Sequence, residues 1–308
     1  MKLAGRLTRE LAAAVELWLL PLCVALVPYR AGIALARLFA SLPVYPQAAA
    51  AAHAHAVVLG GTDEAGKARW RREWRFHHLV DHADLYWTLT RPRSWPDRRL
   101  RGMPPIPPHG RPLVVVSFHY GQGMWLMRWL AAGGWRCRFL SIRPEREQAG
   151  STLGYAYARL RNRAVESITG EALIYTGGAR REIAASIAQG VAVFGLVDVP
   201  LADGAQHAGN ATLLGHPVVL PTGLLESTPP DARALVITAR AERDGTRTVE
   251  WSEAAAGSLS IDLLAGELAT RLSRTAPAWH FWHLWPRFLA RDASRPGAAT
   301  PVGPGSIG

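Results

Sequence analysis

The chain has 308 residues, of which 49% are hydrophobic and 19% charged. That length suits one large α/β domain with an N-terminal extension, and a mean hydropathy of +0.02 argues against a polytopic membrane protein. The net charge of +11 favours an anionic partner, without choosing among nucleic acid, an acidic leaflet and a phosphorylated substrate. Neither the two cysteines, Cys23 and Cys137, nor the eleven histidines show disulfide or zinc spacing, so we expect no metal site.

The N-terminal segment combines basic residues with an apolar run. The basic residues are Lys2, Arg6 and Arg9. The apolar run, 11–27, is interrupted by Glu16 and Pro21, which leaves it too short for a membrane span, and no signal-peptide cleavage site follows it. We therefore predict a helix that lies in the membrane interface, with Trp18 and Tyr29 at its boundary. A buried helix of the core is the alternative.

Helical patterns continue to about residue 90. The alanine-rich segment 46–59 predicts one helix. An amphipathic pattern over 62–90 predicts a longer one, which begins with a capping signature at Thr62. These features define a predicted helical, membrane-associating region over 1–102, which a proline-rich connector over 103–112 separates from the rest of the chain.

Strand-like and helix-like segments alternate from residue 113 to residue 290. The strand-like segments are 113–118, 137–142, 172–175, 191–197, 234–239 and 248–251. The helix-like segments are 124–132, 150–165, 178–189, 259–273 and 279–290, and residues 198–233 show no regular pattern. The alternation predicts an α/β domain over 113–290 whose mixed central sheet is covered by helices. The tail 291–308, rich in Pro, Gly, Ala and Ser, is predicted to be disordered.

The segment around His119 carries the clearest chemical signal. An apolar strand, 113–116, leads to His119, Gly121 and Gly123 permit a sharp turn, and a helical pattern resumes at Met124. Ligands bind at the carboxyl ends of strands in open α/β sheets, which makes His119 a candidate catalytic residue. A histidine that caps the strand or packs in the core is the alternative.

Six motifs follow one another along the chain. They are 119–125 (His-Tyr-Gly-Gln-Gly-Met-Trp), 141–144 (Ser-Ile-Arg-Pro), 175–179 (Tyr-Thr-Gly-Gly-Ala), 195–198 (Gly-Leu-Val-Asp), 214–217 with 221–223 (Leu-Gly-His-Pro and Pro-Thr-Gly), and 277–288 around Trp282. In this order they resemble the lysophospholipid acyltransferase superfamily, in particular its branch of bacterial lipid A late acyltransferases and related glycolipid acyltransferases. The Pro-Thr-Gly run is the most specific match.

The resemblance implies transfer of a fatty acyl chain from an acyl carrier protein or coenzyme A thioester to a hydroxyl or amine of a lipid or glycolipid. It implies no cofactor, and it implies a place on the cytoplasmic face of the inner membrane, where such thioesters are found. His119 would be the general base. The residues expected to contact the substrate are Gly121, Arg143, Gly177, Gly178 and Gly215.

The chain departs from the family at the acid that should pair with His119. The family has Asp or Glu five residues after the histidine, where this chain has Met124. If a distant acid replaces it, Asp198 is our candidate, because it ends a strand expected at the same edge of the sheet; Asp203 is less favoured. A helix cap or turn residue is the alternative interpretation of Asp198.

A second hypothesis is a degenerate acyltransferase-like protein, which binds lipid or acyl chains or supports a partner enzyme without turnover. The joint presence of His119, Gly121, Arg143 and the Pro-Thr-Gly run favours retained activity. A third, a nucleic-acid-binding protein, is suggested by the charge and by the arginines and tryptophans of 69–75. No recognised nucleic-acid motif accompanies them, and we expect no such partner.

Overall fold

The computed structural model describes residues 2–61, 63–92, 95, 97–147, 149–201 and 205–290. Three sequence predictions fall outside that part of the chain: the cap at Thr62, the alternative acid Asp203 and the tail 291–308. Everything below concerns the described residues.

The N-terminal part of the chain is helical. Helix α1 (Lys2–Ala13) continues through a π-helical segment (Ala14–Leu19) into α2 (Leu20–Leu26), and α3 (Tyr29–Ala40), α4 (Gln47–Leu59) and α5 (Glu64–Thr90) follow. The carboxylate of Asp63 caps α5 by accepting a hydrogen bond of 2.7 Å from the backbone N–H of Gly66. The long amphipathic helix therefore forms where the pattern predicts it.

Glu16, which interrupts the apolar run, lies in the π-helical segment and has a structural partner. Its carboxylate accepts a hydrogen bond of 2.6 Å from the backbone N–H of Tyr45, and the Tyr45 hydroxyl donates to the Glu16 carbonyl at 2.9 Å. Burial raises the pKa of Glu16, while the hydrogen bond from Tyr45 opposes that shift. The polar residue thus ties the first helices to the segment between α3 and α4.

Nine strands form in the described residues. They are β1 (Leu100–Arg101), β2 (Leu113–Ser117), β3 (Cys137–Ser141), β4 (Ile174–Tyr175), β5 (Ala192–Leu196), β6 (Ala208–Leu213), β7 (His216–Pro221), β8 (Arg233–Ala241) and β9 (Arg247–Ala255). Seven of them make one sheet in the order β1-β9-β8-β2-β5-β3-β4, and β6 pairs with β7 in a hairpin. The strands β8, β2, β5, β3 and β4 run parallel, whereas β9 is antiparallel to β8. The predicted α/β class with a mixed sheet is confirmed.

Helices connect these strands and cover the sheet. They are α6 (Met124–Ala132), α7 (Thr152–Thr169), α8 (Arg180–Ala188), α9 (Gly223–Glu226) and α10 (Ile261–Thr275). Short 3₁₀ segments span Asp97–Arg99, Ala256–Ser258, Ala276–Ala278 and His280–Arg287. The last of these replaces the α-helix predicted over 279–290, since Pro286 lies inside the segment and cannot donate a backbone hydrogen bond.

Two further features differ from the sequence prediction. The stretch predicted to be irregular contains the β6–β7 hairpin, in which Leu214 and Gly215 form a two-residue turn with φ of 52° and 81°. The region 1–102, predicted to be helical, ends in a strand, because β1 pairs with β9.

The hydrophobic core is continuous from the N-terminal helices to the sheet. Helix α5 buries Trp74, Leu79 and Trp87 in it. Asp84 of α5 forms a fully buried ion pair of 2.7 Å with Arg247 of β9. Burial raises the pKa of Asp84 to about 7, although Arg247 opposes the shift. The helical region is therefore built into the same core as the sheet.

Helices α1 and α2 and the π-helical segment between them expose a row of leucines. These are Leu7, Leu11, Leu19, Leu22 and Leu26, and α1 also exposes Arg6, Thr8 and Arg9. No helix among the described residues has the length and apolar character needed to cross a membrane. Trp18 and Tyr29, which we predict to lie at a membrane boundary, are half-buried and make contacts within the protein. The Trp18 indole donates to the carbonyl of Leu153 at 3.2 Å, and the Tyr29 hydroxyl donates to the carbonyl of Gly245.

Candidate active site

Four of the predicted site residues follow parallel strands of the sheet. His119 follows β2, Asp198 follows β5, Arg143 follows β3 and Gly177 follows β4, each of them two residues beyond the last residue of its strand. Because parallel strands end at the same edge of a sheet, these residues share the carboxyl edge. The edge is where a ligand site is expected.

His119 and Asp198 are in direct contact there. The Nδ1 atom of His119 lies 2.9 Å from Oδ1 of Asp198. The backbone N–H of His119 also donates to both carboxylate oxygens, at 2.9 Å and 2.8 Å. The strands β2 and β5 are neighbours, which explains why residues far apart in sequence meet. Asp198 therefore lies where a replacement for the missing family acid would have to lie.

The exposure of this pair suits base catalysis. The Asp198 side chain is 1% exposed and that of His119 is 26% exposed, so the acid is enclosed while the imidazole meets solvent. An ionised carboxylate only accepts hydrogen bonds, which assigns the proton of the neutral ring to Nδ1. The lone pair of Nε2 is then available to take a proton from a substrate.

The C-terminal 3₁₀ segments complete the surroundings of the pair. The indole N–H of Trp279 donates to Oδ2 of Asp198 at 2.8 Å. The ring of Phe281 stacks on the imidazole of His119, with centroids 4.0 Å apart and an angle of 25° between the planes. The sequence analysis identified the segment 277–288, which holds Trp279, Trp282 and Trp285, only as a motif and therefore missed both contacts. All three tryptophans are buried.

Gly121 is required by the backbone beside His119. Its φ is +67°, and a Cβ atom there would lie 2.0 Å from the carbonyl oxygen of Ala239. Its amide, which we expected to contact substrate, instead donates to the carbonyl of Ala278 at 2.8 Å. Met124, at the position of the family acid, is the first residue of α6 and is buried. The glycine thus shapes the turn rather than presenting a free amide.

The remaining predicted contacts occupy different places. Arg143 is exposed, and its guanidinium lies 4.3 Å from the ring centroid of Tyr175. Gly177 and Gly178, with φ of 88° and 97°, lie in open surroundings between β4 and α8. These three residues lie at the same edge of the sheet as the dyad formed by His119 and Asp198. Gly215, in contrast, lies in the β6–β7 turn, where its positive φ accounts for a glycine at this position without any contact to a substrate.

The chain matches no protein-family model and no curated protein. The resemblance to acyltransferases therefore rests on its motifs, and the chemistry must be argued from the geometry of the site. No cluster of three or more His, Cys, Asp or Glu side chains suited to a metal ion occurs in the described part of the chain. Cys137 is enclosed by the core, and burial raises the pKa of its thiol to about 12.

A second polar cluster lies between α5 and the C-terminal segment. The rings of His78 and His280 stack with centroids 4.2 Å apart, and the backbone N–H of His280 donates to the carbonyl of His119 at 2.8 Å. Asp81 binds Arg161 of α7 through two hydrogen bonds of 2.8 Å and 3.1 Å. Burial lowers the pKa of His280 to about 4. At neutral pH the ring of His280 therefore carries no charge that would oppose protonation of His119.

Proposed function

We propose that this protein transfers a fatty acyl chain from an acyl carrier protein or coenzyme A thioester to a hydroxyl or amine of a lipid or glycolipid. His119 is the general base and Asp198 its partner acid. The observation that carries the proposal is the hydrogen bond of 2.9 Å between them, at the carboxyl edge of the sheet. It supplies from β5 the carboxylate that the motif lacks at Met124.

The reaction follows from that arrangement. Nε2 of His119 removes the proton of the acceptor hydroxyl while the oxygen attacks the thioester carbonyl. The tetrahedral adduct collapses, the carbon–sulfur bond breaks, and the departing thiolate takes the proton from His119. Asp198 stabilises the imidazolium between these two transfers and holds the ring in the tautomer that leaves Nε2 free.

Two groups are suited to stabilise the oxyanion of the adduct. Helix α6 begins five residues after His119, and its N-cap residue, Gly123, supplies no side-chain cap for the first backbone amides. Arg143 adds a positive charge at the same edge of the sheet, in reach of an anionic donor or acceptor. Both assignments belong to the proposed reaction.

The proposed membrane contact uses the row of exposed leucines on α1, α2 and the π-helical segment between them. Helix α1 is attached beside the β3–α7 loop, since the Arg9 guanidinium donates to the carbonyl of Gly150 at 3.0 Å. The carboxylate of Glu10 accepts from the amides of Thr152 and Leu153 at 2.6 Å and 3.0 Å. That loop also carries Arg143. We therefore place the carboxyl edge against an anionic leaflet, on the cytoplasmic face of the inner membrane, where the thioester donors occur.

Placing negative charges in this row of leucines should release the protein from membranes. Leu7 and Leu11 are 60% and 58% exposed. The double variant Leu7→Glu, Leu11→Glu should bind vesicles of phosphatidylcholine and anionic phosphatidylglycerol at least about tenfold more weakly, because two leucines leave the interface and two negative charges enter it. Leu263→Glu, on the exposed side of α10, is the matched control and should bind as wild type does. Unchanged binding of the double variant in a sedimentation assay contradicts the proposed surface.

The function itself is tested by transfer of labelled acyl chains. Purified protein is given acyl carrier protein or coenzyme A thioesters together with lipids extracted from the host. His119→Ala should lower the rate by about 10²–10⁴-fold, the usual contribution of a general base. His53→Ala, at an exposed position of α4, is the control and should retain the wild-type rate. No transfer by any of the three proteins, with vesicle binding intact, overturns the proposal and favours the degenerate lipid-binding protein.

A further inference from the structure

His119 and Trp279 donate hydrogen bonds to the carboxylate of Asp198. Oδ1 faces Nδ1 and the backbone N–H of His119, both at 2.9 Å. Oδ2 receives the same backbone N–H at 2.8 Å and the indole N–H of Trp279 at 2.8 Å. The His119 N–H contacts both oxygens, whereas the Trp279 indole contacts Oδ2 and not Oδ1. A buried carboxylate needs such partners, because water does not reach it.

Trp279 is itself held from both sides. It is fully buried, and its carbonyl accepts a hydrogen bond of 3.1 Å from the indole of Trp74 on α5. The residues on either side of Trp279 are hydrogen-bonded to the loop 119–121. The backbone N–H of Gly121 donates to the carbonyl of Ala278, and that of His280 donates to the carbonyl of His119, each at 2.8 Å. The indole N–H is consequently fixed in its position before any substrate binds.

We infer that Trp279 is a positioning residue for the dyad, whose indole N–H fixes the rotation of the Asp198 carboxylate so that Oδ1 faces His119. The inference rests on the proposed function only in that it assigns this dyad a catalytic role. Without the indole donor, the carboxylate keeps, among the described residues, only its hydrogen bonds with His119 and gains freedom to turn about its Cβ–Cγ bond. The negative charge that faces the imidazole also becomes less neutralised.

The test replaces Trp279 by Phe, which removes the N–H and keeps an aromatic ring. In Trp279→Phe, the imidazole signals of His119 followed by NMR should titrate at higher pH than in wild type, because the carboxylate beside them is less neutralised. The rate constant kcat should fall roughly 10- to 100-fold with KM little changed, as expected for a lost hydrogen bond to a charged group.

Trp282→Phe is the matched control. Trp282 is also fully buried, and its indole donates to the carbonyl of Ala276 at 2.7 Å, away from the dyad. That variant also loses one buried indole hydrogen bond, here to a neutral carbonyl, and should leave both the His119 titration and kcat as in wild type. If Trp279→Phe gives the same titration and the same kcat as this control, the positioning role is overturned.

A second variant and a readout without substrate separate a failure of Trp279 positioning from a failure of the proposed function. If Trp279→Phe does not fold, replacement of the indole by benzothienylalanine, which keeps the bicyclic shape and lacks only the N–H, provides the same comparison. The titration of His119 needs no substrate. A shifted titration in a protein that transfers no acyl chain would therefore overturn the proposed function and leave the positioning role of Trp279 intact.

Discussion

Replacing Asp198 by Asn should lower the rate of acyl transfer by about 10³–10⁴-fold, the loss typical of a catalytic histidine whose orienting acid becomes an amide. The amide has one acceptor oxygen where the carboxylate has two, while three N–H groups converge on the site. If the amide NH₂ faces Nδ1 of His119, the ring must carry its proton on Nε2. The nitrogen that should accept the substrate proton is then occupied.

Single-turnover kinetics with a preformed acyl thioester measures this effect without interference from product release. Asp262→Asn is the matched control, since Asp262 is exposed near the start of α10 and its variant should react at the wild-type rate. Transfer by Asp198→Asn within tenfold of wild type would mean that His119 does not depend on this carboxylate, and the assignment of the dyad would have to be abandoned.

The fold should also lose stability steeply on acidification. Burial lowers the pKa of His77 and His82 to about 3 and that of His280 to about 4, and it lowers the pKa of His78 well below its ordinary value. The unfolded chain takes up these protons near about pH 6.5, whereas the folded chain resists them until about pH 4 at His280 and about pH 3 at His77 and His82. Above about pH 6.5 this contribution is complete, and as the pH falls from about 6.5 to about 4 each histidine reduces the free energy of unfolding by about 1.4 kcal/mol per pH unit. Asp84, whose pKa burial raises to about 7, opposes one such contribution over the same range.

Urea unfolding at a series of pH values measures the slope of the free energy of unfolding against pH. His77→Phe should reduce it by about 1.4 kcal/mol per pH unit, and it breaks no hydrogen bond at Nδ1, which has no partner among the described residues. His53→Gln, on the exposed face of α4, is the control and should leave the slope unchanged. A free energy of unfolding that stays constant from neutral pH down through this window would rule out the buried histidines as its source.

The central strands were predictable because parallel strands covered on both faces read as continuous apolar runs. Strand β2 is buried at every position, and β5 at all but its last. The β6–β7 hairpin was missed for the opposite reason. Its strands contain Gly209, Asn210 and two prolines, residues depleted in strands, and its turn begins with Leu214, which gives no turn signal.

The contact between His119 and Asp198 was predictable from topology, since both follow strands that end at one edge. The role of Trp279 was not. Its hydrogen bond to Asp198 joins residues 81 positions apart, and a tryptophan in an aromatic-rich segment has the same sequence signature whether it packs or donates. The orientation of the half-buried Trp18 depends in the same way on Leu153 of α7, a partner that no local pattern reveals.

Order of synthesis gives the C-terminal segment a further significance. His119 and Asp198 are separated by 79 positions, and the indole that holds the carboxylate comes 81 positions later still. On the ribosome, His119 and Asp198 therefore emerge well before the residue that donates to the carboxylate, and long-range closures of this kind are the slow steps of folding. A nascent chain that ends after α10 holds the whole sheet but lacks the indole donor to Asp198. The surroundings of the His119–Asp198 pair are therefore completed only after translation has passed Trp279.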